Sequence, residues 1–101
     1  MTLPLRFGSE AQQELTAAVR WYEQRRPGLG AEFLARVDEL TSAIQRWPHI
    51  GTTIPGLGDD HRARRTPVPR FPYHVVYVIG RHELRILAVA HDRRDPTHWQ
   101  T

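Results

Sequence analysis

The fold is decided by residues 73–91, which read YHVVYVIGRHELRILAVAH. Two runs rich in valine, isoleucine and tyrosine, 73–79 and 83–91, flank the short loop Gly80-Arg81-His82. Aromatic and β-branched residues favour strands, and a short loop containing glycine between two such runs is typical of a β-hairpin. The sequence therefore predicts two antiparallel strands here, and the preceding residues must supply the elements that cover them.

Two amphipathic helices are predicted ahead of this hairpin. The first begins at Ser9, whose hydroxyl is the expected cap with Gln12 at the capping-box position, and ends near Arg25. Residues 27–30, Pro-Gly-Leu-Gly, separate it from a second helix, which Pro48 ends. Each helix carries an apolar stripe at helical spacing: Ala11, Leu15, Ala18, Val19 and Tyr22 in the first, and Phe33, Val37, Leu40, Ile44 and Trp47 in the second.

Two further strands complete the predicted fold. Leu3, Leu5 and Phe7 alternate with polar or smaller residues at the N-terminus, and Arg62 to Thr66 precede the hairpin. The order β-α-α-β-β-β corresponds to an α+β fold in which a helical hairpin packs on one face of a small antiparallel sheet. We expect residues 1–101 to form a single domain, with the function on the other sheet face, which the arginine-rich half leaves partly open.

The arginine content indicates an anionic partner. All fourteen basic residues are arginine, and residues 61–101 hold eight of them against three acidic residues. Arginine makes planar, bidentate contacts with phosphate or carboxylate, so we expect a nucleic acid or an acidic protein segment to bind this half. The alternative explanation for the missing lysines is the codon bias of a GC-rich genome.

Several kinds of site and location are excluded by what the chain lacks. It has no cysteine, so neither disulfides nor a cysteine zinc site are expected. The histidines show no metal-binding spacing and no glycine-rich phosphate loop is present, so we expect no metal and no cofactor. The apolar runs are too short to span a bilayer and the N-terminus lacks a signal-peptide core, which predicts a cytoplasmic protein without membrane contact.

Three clusters of charged and aromatic residues are the candidates for function. They are His61-Arg62-Ala63-Arg64-Arg65, then Arg70-Phe71-Pro72-Tyr73, and finally His91-Asp92-Arg93-Arg94-Asp95-Pro96 with Trp99 behind it. The second cluster, followed by Tyr77, and the strand that ends in the third cluster resemble signatures of the RelE/ParE superfamily of toxins. With both helices in the expected places, the resemblance covers nearly the whole chain.

The resemblance implies the toxin component of a type II toxin-antitoxin system. Such a toxin arrests growth, serves plasmid stabilisation and is neutralised by a cognate antitoxin, which in this family wraps its toxin. The expected assembly is a homodimer or a heterotetramer with the antitoxin. A ParE-like toxin would bind and inhibit DNA gyrase, whereas a RelE-like toxin would be a metal-independent mRNA endoribonuclease acting on the ribosome.

The ParE-like and RelE-like alternatives require different side chains. RNA cleavage through the ribose 2′-hydroxyl needs a base, an acid and cations around the phosphate. The lysine-rich cluster of RelE-like nucleases has no counterpart in a chain without lysine, and arginine does not readily give up a proton. This difference favours the ParE-like alternative and leaves enzymatic activity open. A plain basic module that binds nucleic acid is a third, distant alternative, which explains the charge but not the order of the motifs.

Site residues are assigned under each alternative. If the protein is a nuclease, the catalytic residues are His91, Arg93 and Tyr73. The target-binding residues are Arg62, Arg64, Arg70, Arg93, Arg94 and Trp99, and the antitoxin-binding residues are Trp21, Arg65 and Tyr77. The competing structural explanations are a charged, soluble edge strand for the arginines at 62–65 and core positions for the tyrosines. We expect Trp47 to lie in the core.

Overall fold

The computed structural model describes residues 2–54 and 63–93. Its elements, in chain order, are β1 (Leu5–Phe7), α1 (Ser9–Arg25), α2 (Leu29–Arg46), β2 (Thr52–Thr53), β3 (Arg64–Pro67), β4 (Tyr73–Ile79) and β5 (Leu84–His91). They form one sheet in the order β1-β5-β4-β3-β2. The predicted α+β fold, with two helices on one face of the sheet, is confirmed. Neither helix of the described part is long and apolar enough to cross a membrane.

The sheet is mixed, where the sequence indicated antiparallel pairing throughout. β1 runs parallel to β5, with Leu5 opposite Leu84 and Phe7 opposite Ile86. The pairing is anchored at the start of α1, where the Gly8 amide donates to the Ile86 carbonyl at 2.8 Å. β2 is an additional edge strand that pairs antiparallel with β3. Its two residues are too few to show an alternating pattern, so the sequence could not reveal it.

The pairing of β4 with β5 contains a bulge between Val76 and Tyr77. Val76 lies opposite Ala88 and Tyr77 lies opposite Ile86, so Leu87 is an extra residue on β5. A bulge reverses the alternation of faces beyond it. Ile86 and Val89 therefore both join the core under the helices, although strict alternation would place them on opposite faces.

The main core lies between the helices and β4 and β5. The stripes predicted for the helices supply Ala11, Leu15, Ala18, Tyr22, Phe33, Val37, Leu40 and Ile44, and the strands supply Val75, Tyr77, Leu84, Ile86 and Val89. The opposite sheet face is less open than expected. There a second small cluster consists of Ile54, Ala63, Val76 and Ala88.

Two local predictions for the helices are wrong. Trp47 is 60% exposed, because α2 ends at Arg46 and Trp47 is the residue at which the chain turns out of the helix. Ser9 is the first residue of α1 rather than its cap. The cap is Gly8, which has no side chain to cap the helix and whose backbone amide bonds to Ile86 of β5.

We predict that Ile44→Ala lowers the free energy of unfolding by about 2 to 5 kcal/mol, because Ile44 is 0% exposed and its loss leaves a cavity. Leu34→Ala, on the same helix but 38% exposed, is the matched control and should cost well under half as much. Urea unfolding of the two variants measures the difference. Equal losses would contradict the assignment of the core.

Candidate functional site

A groove of about 790 Å³ opens between α1 and the adjoining ends of β4 and β5. The side of the groove formed by α1 contains Trp21, and the side formed by the strands contains Tyr73 and His91. The remaining lining residues are Glu10, Gln13, Glu14, Ala17, Ala18, Tyr22, Pro72 and Val89. The structure thus brings one residue predicted to contact the antitoxin together with two predicted catalytic residues.

An aromatic cluster forms the floor of this groove. The ring of Tyr22 lies 5.2 Å from Phe33, 5.0 Å from Phe71 and 6.0 Å from Tyr73. Most of these rings meet edge to face, the geometry that the charge distribution of aromatic rings favours. Burial raises the pKa of the Tyr22 hydroxyl, and the neighbouring Tyr73 raises it further. The floor is therefore rigid, apolar and uncharged at neutral pH.

Trp21 forms the exposed edge of the groove. Its ring meets Tyr22 edge to face at 5.1 Å, and the Arg25 guanidinium lies 4.2 Å from the ring centroid. The side chain is nevertheless 49% exposed. A large aromatic ring that is held in place yet half exposed is the type of residue that protein interfaces bury.

His91 and Tyr73 meet at the corner where β5 ends. They are opposite each other in the strand pairing, and their rings are 5.2 Å apart. The backbone amide of Arg93 donates to Nδ1 of His91 at 3.1 Å. An accepting Nδ1 carries no proton, so the hydrogen of the neutral ring is on Nε2. His91 consequently presents a donor rather than a proton acceptor.

Glu14 is a groove residue that the sequence analysis missed. Its Oε1 accepts a hydrogen bond from the Val89 amide at 2.8 Å, which ties α1 to β5. With Glu10 it gives the groove two carboxylates, and no arginine is among the described lining residues. The helical pattern places Glu14 at the edge of the apolar stripe, but nothing in the sequence pairs it with Val89.

His74 and Asp92 form a second pair that was not foreseen. His74 is buried on the sheet face opposite Tyr73, and its Nδ1 lies 3.2 Å from Oδ1 of Asp92. The Asp92 amide also donates to the Pro72 carbonyl at 2.9 Å. These contacts join the start of β4 to the end of β5 and hold the Tyr73–His91 corner in place.

Two residues that were predicted to bind a partner instead form hydrogen bonds to the backbone within this chain. Tyr77 is 0% exposed; its hydroxyl donates to the Pro48 carbonyl at 2.7 Å and accepts from the Gly51 amide at 2.9 Å. Arg64 donates to the Gly51 carbonyl at 2.7 Å. Both side chains hold residues 48–51, the connection after α2, so Tyr77 offers no surface to an antitoxin.

The remaining predicted arginines are dispersed. Arg70 and Arg93 are exposed on the loops that precede β4 and follow β5, and Arg65 is half-buried on β3. Arg62, Arg94 and Trp99 lie outside the described residues. Within the described part, no group of three potential metal ligands comes together.

Known proteins share both the sequence pattern and the fold of this chain. Residues 5–96 match the family model of the ParE toxin of the type II toxin-antitoxin system parDE. The fold is similar to that of the chromosomal ParDE system from P. aeruginosa, with a TM-score of 0.73 and 18% identity over 89% of this chain and 96% of that chain. It is also similar to the YoeB dimer from Staphylococcus aureus, with a TM-score of 0.63 and 15% identity over 90% and 98% of the two chains. No curated protein sequence matches.

We predict that Tyr77→Phe lowers the free energy of unfolding by about 1 to 3 kcal/mol, because it removes the partner of two backbone groups beside the core. Hydrogen exchange should locate the effect, with the Gly51 amide losing protection while the amides of β5 keep theirs. A variant as stable as the parent would show that water replaces the hydroxyl at no cost.

Alkaline pH should destabilise the protein through the same tyrosine. Burial raises the pKa of Tyr77 above its ordinary value of 10.0, against smaller lowering effects of the Gly51 hydrogen bond and of Arg64. A raised folded-state pKa means stability that is complete below pH 10 and is lost as the pH rises through the folded value. Urea unfolding between pH 8 and pH 11 should show a shallower decline in Tyr77→Phe, with a residual slope from Tyr22.

Proposed function

Because the chain belongs to the ParE toxin family of type II toxin-antitoxin systems, we propose that it arrests growth by binding an essential protein target, DNA gyrase, without catalysing a reaction. The partner that a toxin of such a system requires is its antitoxin. In the cytoplasm, a cognate antitoxin neutralises the toxin by covering surface that the free toxin exposes.

The observation that carries this proposal is the charge of the groove beside Tyr73 and His91. Its described lining has Glu10 and Glu14 and no arginine. An RNA strand entering the groove would bring phosphates against carboxylates, whereas nucleic-acid sites gain their affinity from clustered cations. An apolar floor with acidic edges instead suits a protein surface.

The hydrogen bonding of His91 supports the same conclusion. A nuclease needs a group that takes the proton from the 2′-hydroxyl. His91 already accepts the Arg93 amide on Nδ1 and carries its hydrogen on Nε2. Such a ring orients a loop and donates a hydrogen bond, but it is not poised to act as a base.

One observation favours the ribonuclease as the second candidate. Tyr73 and His91 lie side by side, and Arg93 follows within two residues. These are the residues that a RelE-like reaction would use, so the experiment must separate a binding role from a chemical one.

We predict that Arg93→Glu combined with Arg94→Glu abolishes growth arrest, because it reverses the charges of two consecutive arginines that follow His91 in the sequence. The matched control is Arg81→Glu with Arg85→Glu, at the opposite end of β5, which should leave the toxin active. His91→Gln should also remain toxic, since the glutamine oxygen can accept the Arg93 amide. The purified parent, the Arg81→Glu/Arg85→Glu control and His91→Gln should inhibit gyrase supercoiling, and the Arg93→Glu/Arg94→Glu variant should not.

A nuclease would give a different result with His91→Gln. Ribosome-dependent mRNA cleavage that is lost in His91→Gln by about 100-fold or more, with gyrase supercoiling unaffected, would refute the proposed binding function.

A further inference from the structure

A smaller pocket of about 220 Å³ lies between the N-terminal half of α2 and the loop that leads into β4. Leu29 and Phe71 give it apolar walls, and Arg36, Arg70 and Glu32 complete it. We propose that this pocket is a carboxylate-binding subsite in which Arg36 and Arg70 hold one acidic side chain of the antitoxin. The inference rests on the antitoxin partner of the proposed function and not on the identity of the toxin's target.

Arg70 occupies a backbone conformation that arginine rarely adopts. Its φ is 71°, and it is the non-glycine residue with positive φ in the described part of the chain. It follows Pro69 in a turn closed by a 3.3 Å hydrogen bond from the Phe71 amide to the Val68 carbonyl. Proline followed by a residue with positive φ is the pattern of a type II turn, which prefers glycine at the second position.

An arginine at such a position is maintained against its conformational cost. Strained non-glycine residues cluster at sites where the side chain has a task. Among the described residues no hydrogen bond or ion pair uses the Arg70 guanidinium, and the residue is exposed. Its guanidinium therefore has no partner in the described part of the fold and remains available to bind another molecule.

Arg36 supplies a second guanidinium with unused donors. Its Nη2 contacts Oε1 of Glu39 at 3.0 Å, and its Nε is buried without an acceptor in the described part of the chain, so an incoming carboxylate would meet the Nη atoms. Because Arg36 is half-buried on a regular helix, its stem is held in place before any partner arrives. A positioned guanidinium loses less entropy on binding than a free surface arginine does.

The charge balance favours a carboxylate from a protein over a nucleic-acid backbone. Glu39 pairs with Arg36 at 3.0 Å and Glu32 pairs with Arg26 at 3.2 Å, so Arg70 is the one cation of the described lining that has no carboxylate partner in the described part of the chain. A phosphate backbone binds through an accumulation of cations that this pocket lacks. A single Asp or Glu needs only local bidentate donors for its carboxylate and apolar walls for its methylene groups, and this pocket has both. Acidic segments that fold on binding carry such side chains.

The test uses the whole chain together with its cognate antitoxin. Arg70→Gly removes the guanidinium and leaves a residue that suits the positive φ, so the turn is retained. Arg36→Gln removes the second guanidinium independently of the turn. Arg81→Gly, in the exposed loop between β4 and β5, is the matched control, and melting temperatures verify that all variants fold.

Isothermal titration calorimetry should show antitoxin binding weakened by about 10-fold or more in Arg70→Gly and in Arg36→Gln. The control should stay within about twofold of the parent. The double variant should lose less than the product of the single effects, because both arginines hold the same carboxylate. One acidic residue of the antitoxin should be the partner of this pocket. Its replacement, Asp→Asn or Glu→Gln, should weaken binding to the parent toxin and leave binding to the Arg70→Gly toxin unchanged.

Other results overturn the inference. Folded Arg70→Gly and Arg36→Gln proteins that bind the antitoxin within about twofold of the parent would exclude the subsite. The same holds if both variants keep antitoxin affinity and lose only growth arrest, because the arginines would then serve the target. If both variants bind the antitoxin weakly but the parent toxin leaves gyrase unaffected, the subsite stands and the gyrase proposal fails.

Discussion

The pairing of β4 with β5 is the constraint on which the rest of the structure depends. These strands are central in the sheet, with β1 beside β5 and β3 beside β4. The extra residue at Leu87 lets both Ile86 and Val89 face the helices, which gives the helical hairpin a continuous apolar surface. In a regular ladder one of these side chains would turn away, and the core under α1 would lose part of its packing.

The same pairing builds the groove, whose described lining contains no arginine. It sets Tyr73 against His91 beneath α1, and Glu14 then joins α1 to the strand through the Val89 amide. Arg70 and Arg93 lie just beyond the strand ends, on loops. A nuclease centre would need a base and cations around one phosphate. The apolar groove, with two carboxylates and no arginine in its described lining, is the reason for proposing a protein target rather than RNA.

Side chains that look available for recognition can be required by the backbone. The connection after α2 has carbonyl and amide groups that need partners once they are withdrawn from water. Tyr77 and Arg64 provide those partners at Pro48 and Gly51. Arg70 is the opposite case, because its guanidinium has no such task in the described structure while its backbone is held in an unfavourable region.

The sequence by itself determined the class of fold, both helices, the hairpin of 73–91 and most of the core, because these follow from local periodicity. It also named Tyr73, His91 and Arg93 as the catalytic residues of the nuclease alternative, and the strand pairing then placed Tyr73 opposite His91. Tertiary structure decided the parallel pairing of β1, the bulge at Leu87 and the roles of Glu14 and Tyr77. Each of these depends on a partner distant in the chain, and local patterning carries no information about which distant backbone group or side chain will come within bonding distance.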